Sequence, residues 1–288
     1  MNQSYLEELF GTKDRVAVIT GGGTGLGFWM AETWVKAGGR VWISGRREDK
    51  LQEANAKLNS LSPDSANYVV ADLSIKEGIT ALSIAVSARE TAVDALVNNA
   101  GMSKIDAVTF PQQSAAEMGA ALASYDRALW EELYALNVWA AGVLTGEFLP
   151  LLAAAAKKGD GRGSVLNISS TSATVWNQFW PIQAYQTSKA GLIALTRIHA
   201  AKLAVHGVRV NSIQPGSFPT DMNPVEAEFS PGHPSHVDRI PLGGSGSAED
   251  IGGTFLYLAG KAGAYVTGSN FAVDGGALLV LNNAYSPY

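Results

Sequence analysis

The 288-residue chain predicts a doubly wound α/β fold, a seven-stranded parallel sheet with helices on both faces, in a single domain. Three observations carry that expectation. Short β-rich runs alternate with helical patterns almost from end to end. No repeat, low-complexity linker or shift in composition divides the chain. The first apolar run, RVAVI, leads straight into the glycine-dense turn GGGTGLG (21–27) and then a helix.

The elements follow in order. The first strand is Val16–Thr20. Residues 25–37 place Leu26, Met30, Trp34 and Ala37 at helical spacing, and Gly38-Gly39 ends that helix. A strand at 41–44 is followed by a helix carrying Leu51 and Leu58. YVVA (68–71) and ALVNN (95–99) are further strands, with a helix between them from about Ser74. A long helix includes WEELYALNVWAAGVL (130–144) and leads to strand SVLNIS (164–169). Helix AYQTSKAGLIALTRIHAAKLAVHG (184–207) feeds strand VRVNSI (208–213). The last helical pattern, AEDIGGTFLYLAG, precedes strand NFAV (270–273). Residues 1–14 read as an N-terminal extension, and the irregular stretches 102–124 and 214–247 are long enough to be functional loops.

Composition narrows the function. The chain is 47% hydrophobic and 16% charged, which suits a large core. Its 21 basic and 26 acidic residues give −5 without a basic cluster, which argues against nucleic acid or an anionic membrane as partner. The absence of cysteine excludes disulfides, thiolate metal sites and cysteine nucleophiles. The opening MNQSYLEELFGTKDR lacks an apolar signal region, and AAGVLTGEFLPLLAAAA, interrupted by Glu147 and Pro150, reads as too short to span a bilayer. A cytoplasmic globular protein is expected. His233 and His236 lack a companion cluster for a metal, so no metal is expected, and His199 and His206 read as solvated.

The glycine turn has two readings. Glycine alone adopts positive φ cheaply, so it serves a tight strand-to-helix turn; a bare backbone also lets N–H groups approach a phosphate. GxGxxG finds no start within the run, and a Walker loop fails because Phe28, not lysine, follows Gly27. What stands is Gly21-x-x-x-Gly25-x-Gly27. In the predicted fold this turn lies where a dinucleotide pyrophosphate meets a helix N-terminus, giving Gly21, Gly23, Thr24, Gly25, Leu26 and Gly27 as cofactor candidates. The second strand ends in Ser44-Gly45-Arg46-Arg47, with no carboxylate to hold a ribose 2′-hydroxyl. A guanidinium fork suits a 2′-phosphate, so Arg46 and Arg47 point to NADP(H); a solvated arginine pair at a helix start is the alternative.

Four further motifs coincide in order: NNAG (98–101), a helix asparagine at 137, NISS (167–170) and AYQTSK (184–189). With TGGGTGLG they resemble the short-chain dehydrogenase/reductase family, Rossmann-fold oxidoreductases that include 3-oxoacyl reductase-like and fungal secondary-metabolite members. The likeness continues through PGSFPTDM (215–222) and VTGSNFAVDGG (266–276), covering roughly residues 12–276. The resemblance implies reversible NADPH-dependent reduction of a ketone, with Ser170, Tyr185, Lys189 and Asn137 as catalytic residues. It also implies a dimer or tetramer. YxxxK occurs twice. Tyr257 and Lys261 form the second match, where Tyr257 falls on an apolar stripe with Ile251 and Phe255; Tyr185 and Lys189 share one face early in a long helix after a serine-rich strand end. Tyr185 is therefore the expected acid. A phenol titrates near ~10, and an adjacent ammonium and an oxidised nicotinamide are expected to lower it. Hydride would pass to the carbonyl carbon while Tyr185 protonates the oxygen and Ser170 hydrogen-bonds it.

By the same resemblance Asp72 and Leu73 meet adenine, and Asn99, Ala100 and Gly101 line the route to the nicotinamide. Pro215 and Gly216 open space beside it, Phe218 and Thr220 reach its carboxamide end, and the loop beyond acts as a substrate lid. NNAG also reads as a sheet-stabilising turn. Three departures stand out. The interval from Ser170 to Tyr185 is about two residues longer than the family usual, which keeps Ser172 as a rival serine. An extra stretch, PQQSAAEMGAALAS, precedes Asn137. Trp176, Phe179 and Trp180 lie beside the serine and suggest a bulky, flat or apolar substrate, with surface packing as the alternative. An oxoacyl, polyketide-like or other secondary-metabolite ketone is expected. A non-redox isomerase, cyclase or dehydratase, or a non-catalytic NADP(H) sensor, remain the alternatives. The apolar C-terminal GGALLVLNNAYSPY is expected against a subunit contact or the substrate mouth, and the small residues Thr187, Ser188, Ala190 and Gly191 are expected to permit close helix pairing between subunits.

Overall fold

A computed structural model describes residues 3–106, 113–175, 181–222 and 240–281. Its strands are β1 (Val16–Thr20), β2 (Arg40–Gly45), β3 (Ala66–Val70), β4 (Ala95–Asn98), β5 (Ser164–Ile168), β6 (Arg209–Pro215) and β7 (Asn270–Val273). They form one seven-stranded sheet in the order β3-β2-β1-β4-β5-β6-β7, and every pair is parallel. The order reverses between β1 and β4, the switch point at which ligands bind in such sheets.

The helices are α1 (Gln3–Phe10), α2 (Gly25–Lys36), α3 (Glu48–Leu61), α4 (Lys76–Ser87), α5 (Ala115–Ala123) and α6 (Arg127–Tyr134), then α7 (Ala140–Ala156), α8 (Gln183–Leu203), α9 (Ala248–Ala259) and α10 (Ala277–Leu281). Strand alternation divides the core into two layers. Ala17 and Ile19 of β1 face Met30, Trp34, Leu51, Leu58, Ile251 and Phe255 on α2, α3 and α9. Val16 and Val18 face Ile79, Leu82, Leu144, Phe148 and Leu152 on α4 and α7. Trp34 is fully buried, its ring 5.3 Å from that of Phe255, and its indole N–H donates to the Arg40 carbonyl at 3.0 Å. Large apolar side chains of this kind each contribute about 1.5–3 kcal/mol by burial.

Three expectations change. The N-terminal extension contains α1, whose Glu8 pairs with Lys261. The stretch 102–124 is not wholly irregular, because a reciprocal capping box between Ser114 and Glu117 starts α5. The long helix is interrupted: a π turn at Ala135–Trp139 joins α6 to α7. The helical run Arg127–Ala156 is thus 30 residues, long and apolar enough to cross a membrane by length and composition; in the fold Leu144, Phe148 and Leu152 are buried against the sheet.

Candidate active site

Glycines at the end of β1 are required by geometry. Gly21 has φ +64°, and a Cβ there would stand 2.9 Å from the Asn99 amide nitrogen. Gly25 has φ +54°, with Thr220 at 3.2 Å from the same ideal position. A Cβ on Gly27 would lie 2.3 Å from the Gly21 carbonyl oxygen, whereas Gly23 meets only ordinary contact with Leu51. Thr20 and Asn99 lock the turn. The Thr20 hydroxyl accepts the N–H groups of Asn99 and Ala100 at 3.0 Å each, and the Asn99 amide donates to the carbonyls of Thr20 and Gly21. Thr24 caps α2 without a side-chain hydrogen bond to it, so no side chain from the cap occupies the first-turn N–H groups. A bare, positively polarised helix start of this kind fits a pyrophosphate. Leu26 packs against the core instead of into the turn.

Beyond β2, Arg46 and Arg47 are exposed. Arg47 donates to the Thr24 hydroxyl at 3.1 Å and lies 3.7 Å from Asp221. Thr24 and Asp221 wall a cleft of about 200 Å³ that Gly23, Lys50 and Lys57 also line. Asp72 accepts from the backbone and hydroxyl of Ser74, which hold its carboxyl below the usual range, with a smaller effect from the Arg46 charge. A cationic rim without a free carboxylate at Gly45 fits a 2′-phosphate. Leu73 is buried among core residues.

At the other side of the switch point, β5 ends in Ser169 and Ser170. The Ser169 hydroxyl donates to the Lys189 carbonyl at 3.1 Å, tying the strand end to α8. Ser170 caps the 3-10 turn Thr171–Ala173, accepting from the Ser172 N–H at 3.1 Å. Its hydroxyl also lies near the Tyr185 phenol, on which it acts against the effect of burial. Of the two rival serines, Ser170 is the one that acts on the phenol, and Ser172 braces it through its backbone N–H. Lys189 is buried, its ammonium 5.8 Å from the Tyr185 ring centroid and donating to the Ile168 carbonyl at 2.7 Å. Asn137, in the π turn, is buried and has its amide engaged on three sides: it accepts from the Met102 N–H and donates to the Met102 carbonyl and the Ser188 hydroxyl. Ser188 donates in turn to the Tyr185 carbonyl at 2.8 Å. A Cβ on Gly101 would lie 3.1 Å from the Asn137 oxygen and 3.2 Å from the Lys189 ammonium, so these three converge. Met102 carries no motif that would have announced its part, and Ser188 lies within AYQTSK without being marked out for it.

The electrostatics depart from expectation. Burial raises the Tyr185 phenol above its ordinary value, with the Ser170 hydrogen bond acting in the opposite direction. Burial lowers Lys189 to about 8, which leaves it mostly charged at neutral pH. A pH prediction follows from the sign. Lys189 titrates near 8 in the fold and near 10.5 when unfolded, so the unfolded chain binds more protons between those values. This group's contribution to stability therefore rises with pH across that window, by at most about 3 kcal/mol. The urea-denaturation gap between the parent and Lys189→Met should widen in the parent's favour from pH 8 to pH 10; a constant gap would contradict the buried ammonium.

Other residues are placed differently from their expected roles. The Phe218 side chain is buried in the core, its ring 6.4 Å from that of Trp29. A Cβ on Gly216 would lie 2.7 Å from Asp274, so that glycine admits β7 beside the Pro215 strand end. Tyr257 is a core residue packed edge-on against Phe271, and Lys261 pairs with Glu8 and Asp160. Ser188 and Gly191 face the chain's own π turn and Tyr134, while Thr187 is exposed. His199 is half-buried, and burial lowers its pKa. Ala277 and Leu281 of α10 pack with Ile240 on Val175, directly after the serine turn. Trp176, Phe179, Trp180, His233 and His236 lie outside the described residues, as does most of the expected lid. Among the described residues no group of three His, Asp or Glu could hold a metal.

Comparison with known proteins agrees with this geometry. Residues 21–277 match the family model described as enoyl-(acyl carrier protein) reductase. A short-chain dehydrogenase/reductase of Diaporthe leptostromiformis, PhomF, is 32% identical over 96% of each chain. The rhamnolipids biosynthesis 3-oxoacyl-[acyl-carrier-protein] reductase of Pseudomonas aeruginosa is 33% identical over 93% of this chain and 97% of its own. The solved Pseudomonas aeruginosa RhlG/NADP active-site complex superposes with a TM-score of 0.80 at 30% identity, covering 94% of this chain and 99% of that one. The fold, the ordered motifs and these matches together make the chain a member of the short-chain dehydrogenase/reductase family, an oxidoreductase acting on a carbonyl or hydroxyl group.

Proposed function

We propose that the chain is an NADP(H)-dependent carbonyl reductase that converts a ketone to a secondary alcohol. The observation that carries this reading is the convergence of Tyr185, the Lys189 ammonium 5.8 Å from its ring, Gly101 and Asn137 beside the Ser170 turn, at the C-terminal edge of the sheet. When bound, reduced nicotinamide supplies the hydride. Tyr185 donates its proton to the carbonyl oxygen, and burial keeps that proton on the phenol at neutral pH, the state that reduction needs. Ser170 hydrogen-bonds the same oxygen as negative charge develops on it. Lys189 stabilises the phenolate left behind and holds the ribose hydroxyls. Asn137 fixes Met102 and Ser188 around this group.

The substrate class is a bulky or apolar ketone, of oxoacyl, polyketide-like or other secondary-metabolite type. The apolar cluster of Val175, Ile240, Ala277 and Leu281 beside the serine turn supports that choice, as does the similarity to the 3-oxoacyl-[acyl-carrier-protein] reductase. NADP(H) is supported by Arg46 and Arg47 at the rim, by the missing acid at Gly45, and by the NADP in the similar solved complex.

Cofactor preference is directly measurable. A charge-assisted hydrogen bond contributes about 1.5–3 kcal/mol, so Arg46→Ala should weaken NADPH by about 10- to 100-fold and leave NADH almost unchanged. Gly45→Asp should repel the 2′-phosphate and shift preference towards NADH. Dissociation constants from nucleotide fluorescence check both, and equal affinities in the parent protein would refute the NADP(H) assignment.

A further inference from the structure

The first turn of α8 carries Tyr185, yet its own sequence cannot cap it. Ile182 stands at the cap position and makes no side-chain hydrogen bond to the helix. Ala184 is fully buried, so its N–H has no access to water and needs an acceptor from elsewhere in the fold. That acceptor is Asp106, nearly 80 residues away in the chain. Its Oδ2 accepts the Ala184 N–H at 2.6 Å, a charge-assisted bond at a positively polarised helix start. The Asp106 backbone N–H donates to the Pro181 carbonyl at 2.8 Å, which holds the carboxylate in register with the turn. From the far end of the same stretch, the Tyr125 hydroxyl is hydrogen-bonded to Oε1 of Gln183. Tyr125 is itself packed on Trp130, and Trp130 stacks on Tyr134. Gln183 and Ala184, the two residues immediately before Tyr185, are therefore each gripped by a side chain from the stretch between NNAG and α6.

We propose that Asp106, assisted by Tyr125, is a positioning residue for Tyr185: it sets the phase of the first turn of α8 and thereby aims the phenol at the carbonyl. Neither residue touches the reacting atoms. The proposal rests on Tyr185 being the proton donor.

The test compares Asp106→Ala, Asp106→Asn, Tyr125→Phe and Tyr185→Phe as purified full-length proteins. Steady-state ketone reduction is measured alongside NADPH binding by fluorescence and thermal unfolding. A misplacement of about 1 Å can cost 10²-fold, so Asp106→Ala should lower kcat by about 10- to 100-fold with the NADPH dissociation constant unchanged. Asp106→Asn keeps an acceptor oxygen and should recover most of the loss. A merely structural role would lower stability without that split and without that rescue. If Asp106→Ala does not fold, Tyr125→Phe, which keeps the ring and loses one hydrogen bond, should still show a smaller fall in kcat. Parental kcat in the folded Asp106 and Tyr125 variants, beside an inactive Tyr185→Phe, overturns the inference. An active Tyr185→Phe overturns the assignment of the donor beneath it.

Discussion

Ser170→Ala should lower kcat for ketone reduction by about 10²–10³-fold, the loss typical of removing one donor to a developing oxyanion. The ranking against Ser172 makes the expectation specific. Ser170 is the serine whose hydroxyl acts on the Tyr185 phenol, and Ser172 supplies a backbone N–H to the Ser170 hydroxyl. Ser172→Ala keeps that N–H, so turnover should remain within a few-fold of the parent. NADPH affinity should be unaffected in both, because neither hydroxyl belongs to the glycine turn or the arginine rim. Measured kcat values in the reverse order would mean that the longer interval to Tyr185 has moved the reacting oxygen towards Ser172.

The fold was legible wherever a local pattern and its neighbours wanted the same thing. Val16–Thr20 and Asn270–Val273 are strands by composition and strands in the sheet. β3 begins at Ala66, before the β-branched run, because Ala66 and Asn67 pair with Val41 and Trp42 of β2. That pairing is non-local, and polar Asn67 gives no hint of it. α5 was hidden for a different reason. None of its residues is buried, so it has no apolar stripe to display, and only the Ser114/Glu117 capping box could have announced it. The π turn was equally hidden: the apolar pattern runs through it, while Asn137 within it is engaged by Met102 and Ser188 from distant segments.

The site divides along the same line. The glycines, Asn99, Tyr185 and Lys189 were readable because each motif is contiguous and its spacing fixes which groups share a face. Ser170 could not be separated from Ser172 by counting, since a 3-10 turn decides which hydroxyl reaches the phenol. The sequence does not reveal that the Phe218 ring packs on Trp29. The upward push of burial on the phenol was not readable from the motif, because burial is a property of the assembled core. Asp106 gave no signal at all: a lone aspartate after NNAG becomes a helix cap only when β4 and α8 are brought together.

Tyr185→Phe is expected to have the largest effect of any single change. It removes one oxygen and keeps the ring, so the packing of the first turn of α8 and the affinity for NADPH should hardly move. General acid–base catalysis contributes about 10²–10⁴-fold, and Tyr185 is the group that carries it here. The chain supplies its own control. Tyr257 also precedes a lysine by four residues, but it packs on Phe271 in the core, far from any serine turn, and Lys261 is paired with Glu8 and Asp160. The decisive measurement is NADPH consumption with a reducible ketone by the parent, Tyr185→Phe and Tyr257→Phe, with NADPH binding to each measured by fluorescence. The account predicts that Tyr185→Phe binds NADPH like the parent and loses at least about 10²-fold in turnover, while Tyr257→Phe stays near the parental rate. Parental turnover in Tyr185→Phe would contradict it.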